Sequence, residues 1–119
     1  MFNPRNDTMQ VKCNMNNVYM QEARIISAIR AARAALNWTQ PELAQASGVA
    51  LVTIARMEVG LMSPRLSTLV KLKAAIEGAG IRIADDNPAG GYTLMVEERG
   101  VAEMARRIEA GREKGSGTG

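Results

Sequence analysis

The chain of 119 residues has room for one domain with a modest core rather than for two. Its 15 Lys and Arg stand against 12 Asp and Glu, a net charge of +3, so any affinity for a polyanion must come from where the charges sit rather than from their sum. The single cysteine, Cys13, cannot form an intramolecular disulfide. The absence of histidine removes the familiar zinc clusters and the imidazole general base, so a reduced, cytoplasmic protein with no metal or cofactor is expected, and most enzyme classes are disfavoured. No apolar run approaches the roughly 20 residues of a membrane span, and the N-terminus lacks the charged-then-apolar profile of a signal peptide.

Residues 1–20 are rich in Asn and Met and are expected to be a disordered arm, with a weak alternation from Val11 to Tyr19 that also fits a short strand. Met9, Met15 and Met20 are each possible starts, and helical periodicity begins only after Met20, so the working domain is placed from about Gln21. Residues 21–80 hold seven Lys or Arg and four acids, while residues 81–119 hold six and seven, which locates the basic excess in the middle of the chain.

From Gln21 to Leu36, Ile25, Ile26, Ile29, Ala32 and Leu36 fall at helical spacing, with Arg24, Arg30 and Arg33 available to the other face. Asn37 and Trp38 break this helix. Thr39 then offers a hydroxyl cap, Pro41 sits in the first turn where its missing N–H costs nothing, and Glu42 is placed to return the capping bond, so a second helix is expected from about Gln40 to Ala46. Gly48 suits the left-handed angles of a tight turn and Val49 returns to the core. A third helix follows over about Leu51 to Glu58, with Ile54 and either Met57 or Ala55 facing inward. Ser63 and Pro64 predict the start of a fourth helix, through Leu66, Leu69, Val70, Leu72 and Ile76, ending at Gly78 or Gly80.

Alternating residues on either side of "DDNPAGG" predict a β-hairpin from Ile81 to Val96, and there Asp85 and Asp86 are turn residues before they are metal ligands. Val101, Met104, Ala105 and Ile108 then form an apolar stripe on a short helix over 97–110, with Arg106 and Arg107 outside, and residues 111–119 are a solvated tail. The chain is thus expected to be mainly α, a helical bundle over 21–80 followed by a hairpin over 81–96 and a C-terminal helix.

Two short helices joined by a glycine turn allow one helix to enter a DNA major groove while the other braces it. Ala44 is small where the two helices approach, and Leu43, Val49 and Ile54 are apolar where the pair packs on the bundle. The run "WTQPELAQASGV" at Trp38–Val49, with Ile54, Glu58, Gly60, Pro64 and the stretch Ser67–Ile81, resembles the lambda-repressor-like helix-turn-helix family, also called XRE or Cro/C1. The resemblance spans about Arg24 to Val96, and the hairpin is similar to that of one subgroup of small bacterial and phage regulators.

The resemblance implies sequence-specific binding of double-stranded DNA by a transcriptional regulator, a repressor of a nearby or its own promoter, with no catalytic residues. It implies that Leu51, Val52, Thr53 and Arg56 meet base edges. Gln40 is implied to touch a phosphate while orienting the third helix, and the loop Leu61–Arg65 to approach the sugar-phosphate backbone. Arg65, Lys71 and Arg30 complete the expected phosphate contacts. Leu51 and Val52 depart from the usual polar pattern, since they can make only apolar contacts such as those to thymine methyl groups. Selectivity would then rest on Thr53 and Arg56, helped by half-site spacing and DNA shape. One domain covers a half-site, so a homodimer on a palindromic operator is expected, with the hairpin or the terminal helix as its surface. The alternative is a protein partner: Leu51, Val52, Leu61 and Met62 would form an exposed apolar patch of an antiactivator or antitoxin. Glu58 is expected in a structural ion pair with an arginine of the first helix, and Trp38 in the core or the bend.

Overall fold

In the computed structural model, which describes the backbone of residues 17–116 and the side chains of residues 20–113, the first helix is α1, Asn17–Ala35. It starts four residues before the expected Gln21; the rest of the expected arm, residues 1–16, lies outside the described residues. Ala28, Ala32 and, just past the helix, Leu36 are buried four residues apart, with Ile29 beside them, which places them on one face over the core. Asn37 takes a left-handed φ of 58° and stops the helix.

Helix α2, Gln40–Ser47, begins with the full capping box: the Glu42 amide donates to Thr39 Oγ1 at 3.2 Å and Glu42 Oε1 accepts from the Thr39 amide at 2.8 Å. It ends at Gly48, whose φ of 78° is the left-handed turn that the sequence predicts. Helix α3, Leu51–Glu58, buries Ile54, Met57 and Glu58. Helix α4, Leu66–Gly78, buries Leu72 and Ile76. It starts later than the Ser63–Pro64 reading, because Arg65 keeps extended angles (φ −75°, ψ 155°) and serves as a cap without a side-chain bond.

Strands β1, Ile81–Asp85, and β2, Tyr92–Val96, pair antiparallel with Ile83 opposite Leu94. Ile81 is buried, and Ile83 and Leu94 pack against the helical core. The hairpin is tied to α1 at its turn end: Arg24 donates to Asp85 at 2.7 Å, and the Ser27 and Tyr92 hydroxyls meet at 2.7 Å. Hydrogen bonding to Asp85 is the main reason that the Arg24 pKa is raised, and the charges of Asp85 and Asp86 add to it against some desolvation.

Helix α5, Glu98–Ser116, runs through Gly111 and six residues beyond the expected end at 110. It crosses the start of β1 at a glycine–glycine contact, where a Cβ on Gly100 would lie 2.7 Å from the Gly80 oxygen. Arg99 donates to the carbonyls of Gly78 and Glu77 at 2.9 and 3.0 Å, satisfying two acceptors at the end of α4. Further along, Trp38 Nε1 donates to Glu103 Oε2 at 2.8 Å and Arg107 forms an ion pair with Glu42. Arg107 therefore faces the helix-turn-helix, contrary to its expected outward position. The helix docks through Gly100, Glu103 and Arg107, while Val101 and Ile108 of the apolar stripe stay exposed. Five helices and one hairpin make up the described residues.

Candidate nucleic-acid interface

The geometry of α2 and α3 is held by one buried carboxylate. Glu58, at the end of α3, is 5% exposed and accepts from Arg33 Nε and Nη2, both at 2.9 Å, and from Gln40 Nε2 at 3.0 Å. Arg33 uses its remaining reach on the Trp38 carbonyl at 2.9 Å. The network thus joins the end of α1, the first residue of α2 and the last turn of α3. Burial alone would push the Glu58 pKa up; the hydrogen bonds from Arg33 and Gln40, with the charges of Arg33 and Arg30, outweigh it and hold the carboxyl below its ordinary value. The structure bears out the ion pair to the first helix expected for Glu58.

With Glu58 as its inner anchor, α3 presents Leu51, Val52 and Arg56 to solvent, with Thr53 half-buried beside them. Leu51 is 44% and Val52 54% exposed, although both are aliphatic. Ala50 caps the helix without a side-chain bond. The first amides of α3 therefore remain donors, beside side chains that have none.

Gln40 is half-buried and spends one amide hydrogen on Glu58, which leaves the other for an outside acceptor. Arg30 is exposed and lines a cleft of about 660 Å³ together with Glu58 and the loop Val59–Ser63, so it stands next to the end of α3. Arg65 is exposed at the head of α4. Lys71 is exposed further along the same helix, turned from Arg65 by roughly 120° at about 100° per residue. The structure thus brings Gln40 and Arg30 to Glu58 at the end of α3, and sets Lys71 on a different side of α4 from Arg65.

The other two arginines of α1 are not open cations, since Arg24 is held by Asp85 and Arg33 by Glu58. Met62 is also corrected: it is partly buried and packs against the core, so it leaves the apolar patch. Val59, which the sequence reading passed over, is strongly exposed along with Leu61. Its position seven residues after Val52, two helical turns on, was the available signal. Among the described residues no group of three or more His, Cys, Asp or Glu could hold a metal ion, and no helix is long and apolar enough to cross a membrane.

A buried glutamate binding the first residue of α2 to the end of α3, a glycine turn and an outward-facing third helix define a helix-turn-helix unit. Residues 29–77 match the family described as Helix-turn-helix, a span that opens inside α1 and closes inside α4. This segment is a helix-turn-helix domain of the lambda-repressor-like (XRE/Cro-C1) kind, the DNA-binding module of a class of transcription regulators. No curated protein matches the chain.

Proposed function

We propose that this protein is a sequence-specific reader of double-stranded DNA, a dimeric repressor acting on a nearby or its own promoter, with α3 in the major groove. The observation that carries this reading is the Glu58 network, which sets α2 and α3 in a fixed relation while Leu51, Val52 and Arg56 remain exposed on one helix. Arg56 has no ion pair among the described residues and suits the acceptor edge of guanine; Thr53 can bond to either base type, and Leu51 and Val52 suit thymine methyl groups. Gln40, Arg30 and Arg65, with the uncapped amides at the head of α4, supply phosphate contacts, and Lys71 adds a longer-range charge. One domain covers a half-site, so two copies related by a two-fold axis would place their α3 helices about 34 Å apart on a palindromic operator.

Binding of the protein to a fluorescent duplex of its own upstream region, compared with a scrambled duplex over a salt series, tests the reading. Selective binding that weakens steeply with salt is expected. Equal, weak binding to both duplexes counts against autoregulation.

The exposure of Leu51, Val52, Val59 and Leu61 supports a second reading, in which α3 and the following loop dock a protein partner as an antiactivator or antitoxin does. That function would survive Arg56→Ala and be lost with Leu51→Asp, whereas DNA binding is sensitive to Arg56→Ala.

A further inference from the structure

We infer that Glu103 of α5 is a positioning residue for DNA binding: by holding the Trp38 indole it fixes the entry to α2, and through that entry the end of the helix where Gln40 stands. The inference rests on the DNA-reading function above and adds to it a residue outside the helix-turn-helix.

Trp38 is the last residue before the cap of α2, and it is fastened on two sides. Its main chain is tied to α1: the amide donates to the Arg33 carbonyl at 3.1 Å, and the carbonyl accepts from Arg33 Nη1 at 2.9 Å. Its side chain is tied to α5, through the 2.8 Å bond from Nε1 to Glu103 Oε2. Arg106, one turn along α5, donates from Nη2 to both Glu103 oxygens at 2.9 Å and holds the carboxylate in place as a charged acceptor. Arg107, four residues after Glu103 and so on the same face of α5, pairs with Glu42, which itself accepts from the Thr39 amide and hydroxyl.

The two bonds from α5 thus land on Trp38 and Glu42, and Gln40 lies midway between them in the chain. Gln40 is held from the inside as well, by Glu58. With its first turn tied at both ends, the backbone that carries Gln40 is ordered before DNA arrives, and the entropy cost of a phosphate contact there is reduced. The sign of the effect separates this role from bare electrostatics. An acid near a polyanion repels it, so removing the Glu103 charge would by itself strengthen binding, whereas losing a positioning residue weakens it.

Titration of the upstream-region duplex and its scrambled counterpart with the full chain tests the assignment, using wild type, Glu103→Ala, Glu103→Gln, Trp38→Phe, Gln40→Ala and the double variant Gln40→Ala with Glu103→Ala. Circular dichroism establishes that each is folded, and the indole N–H resonance of the one tryptophan reports the bond itself. Glu103→Ala and Trp38→Phe are each expected to lose about tenfold in affinity for the upstream duplex, the worth of one hydrogen bond to a charged group. Glu103→Gln keeps an acceptor for the indole and should stay within about twofold of wild type. In the Gln40→Ala background the Glu103→Ala change should cost little more, because the contact it positions is already gone. The indole proton should shift and exchange faster in Glu103→Ala but not in Glu103→Gln. Unchanged or raised affinity in Glu103→Ala overturns the proposal, as does an undiminished loss in the Gln40→Ala background or a Glu103→Gln as weak as the alanine variant. If Glu103→Ala does not fold, Trp38→Phe carries the same test from the other side of the bond. A wild type that does not distinguish the two duplexes overturns DNA reading at this promoter and the positioning role with it; a selective wild type with an insensitive Glu103→Ala overturns the positioning role alone.

Discussion

Arg33 and Glu58 form a two-point ion pair, Nε to Oε2 and Nη2 to Oε1 at 2.9 Å each, between the end of α1 and the end of α3, and Gln40 at the head of α2 binds the same carboxylate. With its side chain only 3% exposed, Glu58 depends on these partners for its charge. Arg33→Ala removes the principal cation and leaves the carboxylate buried, so unfolding stability is expected to drop by about 3 kcal/mol. Joint replacement, Arg33→Met with Glu58→Leu, removes both charges and is expected to cost much less. Urea titration followed by the emission of Trp38, the one tryptophan of the chain, measures both. Equal losses in the single and double variants would mean that the pair stabilises through its packing rather than its charge.

The same residue sets a pH dependence. The Glu58 pKa is held below the ordinary glutamate value of about 4.3, and so is that of Glu103, through the Trp38 bond first and then Arg106, against its own burial. A carboxylate with a depressed folded pKa binds fewer protons folded than unfolded. Its stabilisation is complete above the ordinary carboxylate range and is lost as the pH falls through the folded value. Stability should therefore be flat for these groups near neutrality and fall below about pH 4. Glu58→Gln should lower stability at pH 7 and flatten the acid limb. An acid limb as steep as that of the wild type would show that other carboxylates govern it.

The helix-turn-helix was legible in the sequence because its signals are local. Thr39, Pro41 and Glu42 define a helix start within four residues, Gly48 a turn within one, and the alternation around "DDNPAGG" a hairpin. The Glu58 ion pair to an arginine of the first helix was also expected, from the one acid of the third helix and the arginines of the first. What was not legible depends on contacts distant in sequence. Periodicity identified the stripe Val101–Ile108 but not which side of α5 faces home, because the docking is decided by the close approach of Gly100 to Gly80 and by Glu103 and Arg107 reaching residues of the 38–42 segment. Nor could it show that Leu66 and Val70 border a groove, since that needs α1 and β1 in place.

Two glycines of α5 should respond oppositely to alanine. At Gly100 a Cβ would meet the Gly80 oxygen at 2.7 Å and Val96 Cγ1 at 3.0 Å, and the backbone on one side cannot yield without moving the start of β1. Gly100→Ala is expected to destabilise by about 1–3 kcal/mol, as overpacking does, and to release α5 first. At Gly111 nothing lies within 4 Å, so Gly111→Ala should stabilise the helix by about 0.5–1 kcal/mol. Amide hydrogen exchange along α5 checks both, with faster exchange expected for the first variant and slower for the second. Unchanged protection in Gly100→Ala would show that α5 is held by Glu103 and Arg107 alone.

On DNA, the exposed residues of α3 divide into two kinds with different expected signatures. Arg56 is the one long cation on the helix, and on the reading proposed above its truncation to alanine removes a contact specific to one base pair. The expected loss is about 1–3 kcal/mol on the preferred duplex with little change on a scrambled one, so the preference itself collapses. Arg65→Ala should weaken both duplexes alike and reduce the slope of log K against log salt by about 0.9, the signature of one released counterion. Leu51→Ala should lose affinity only for duplexes that carry a thymine methyl at the matching step, which replacement of that thymine by uracil reveals. Direct titration of the three variants against both duplexes separates these outcomes. A selective duplex insensitive to Arg56→Ala would move the base contacts to Thr53 and the uncapped amides of α3.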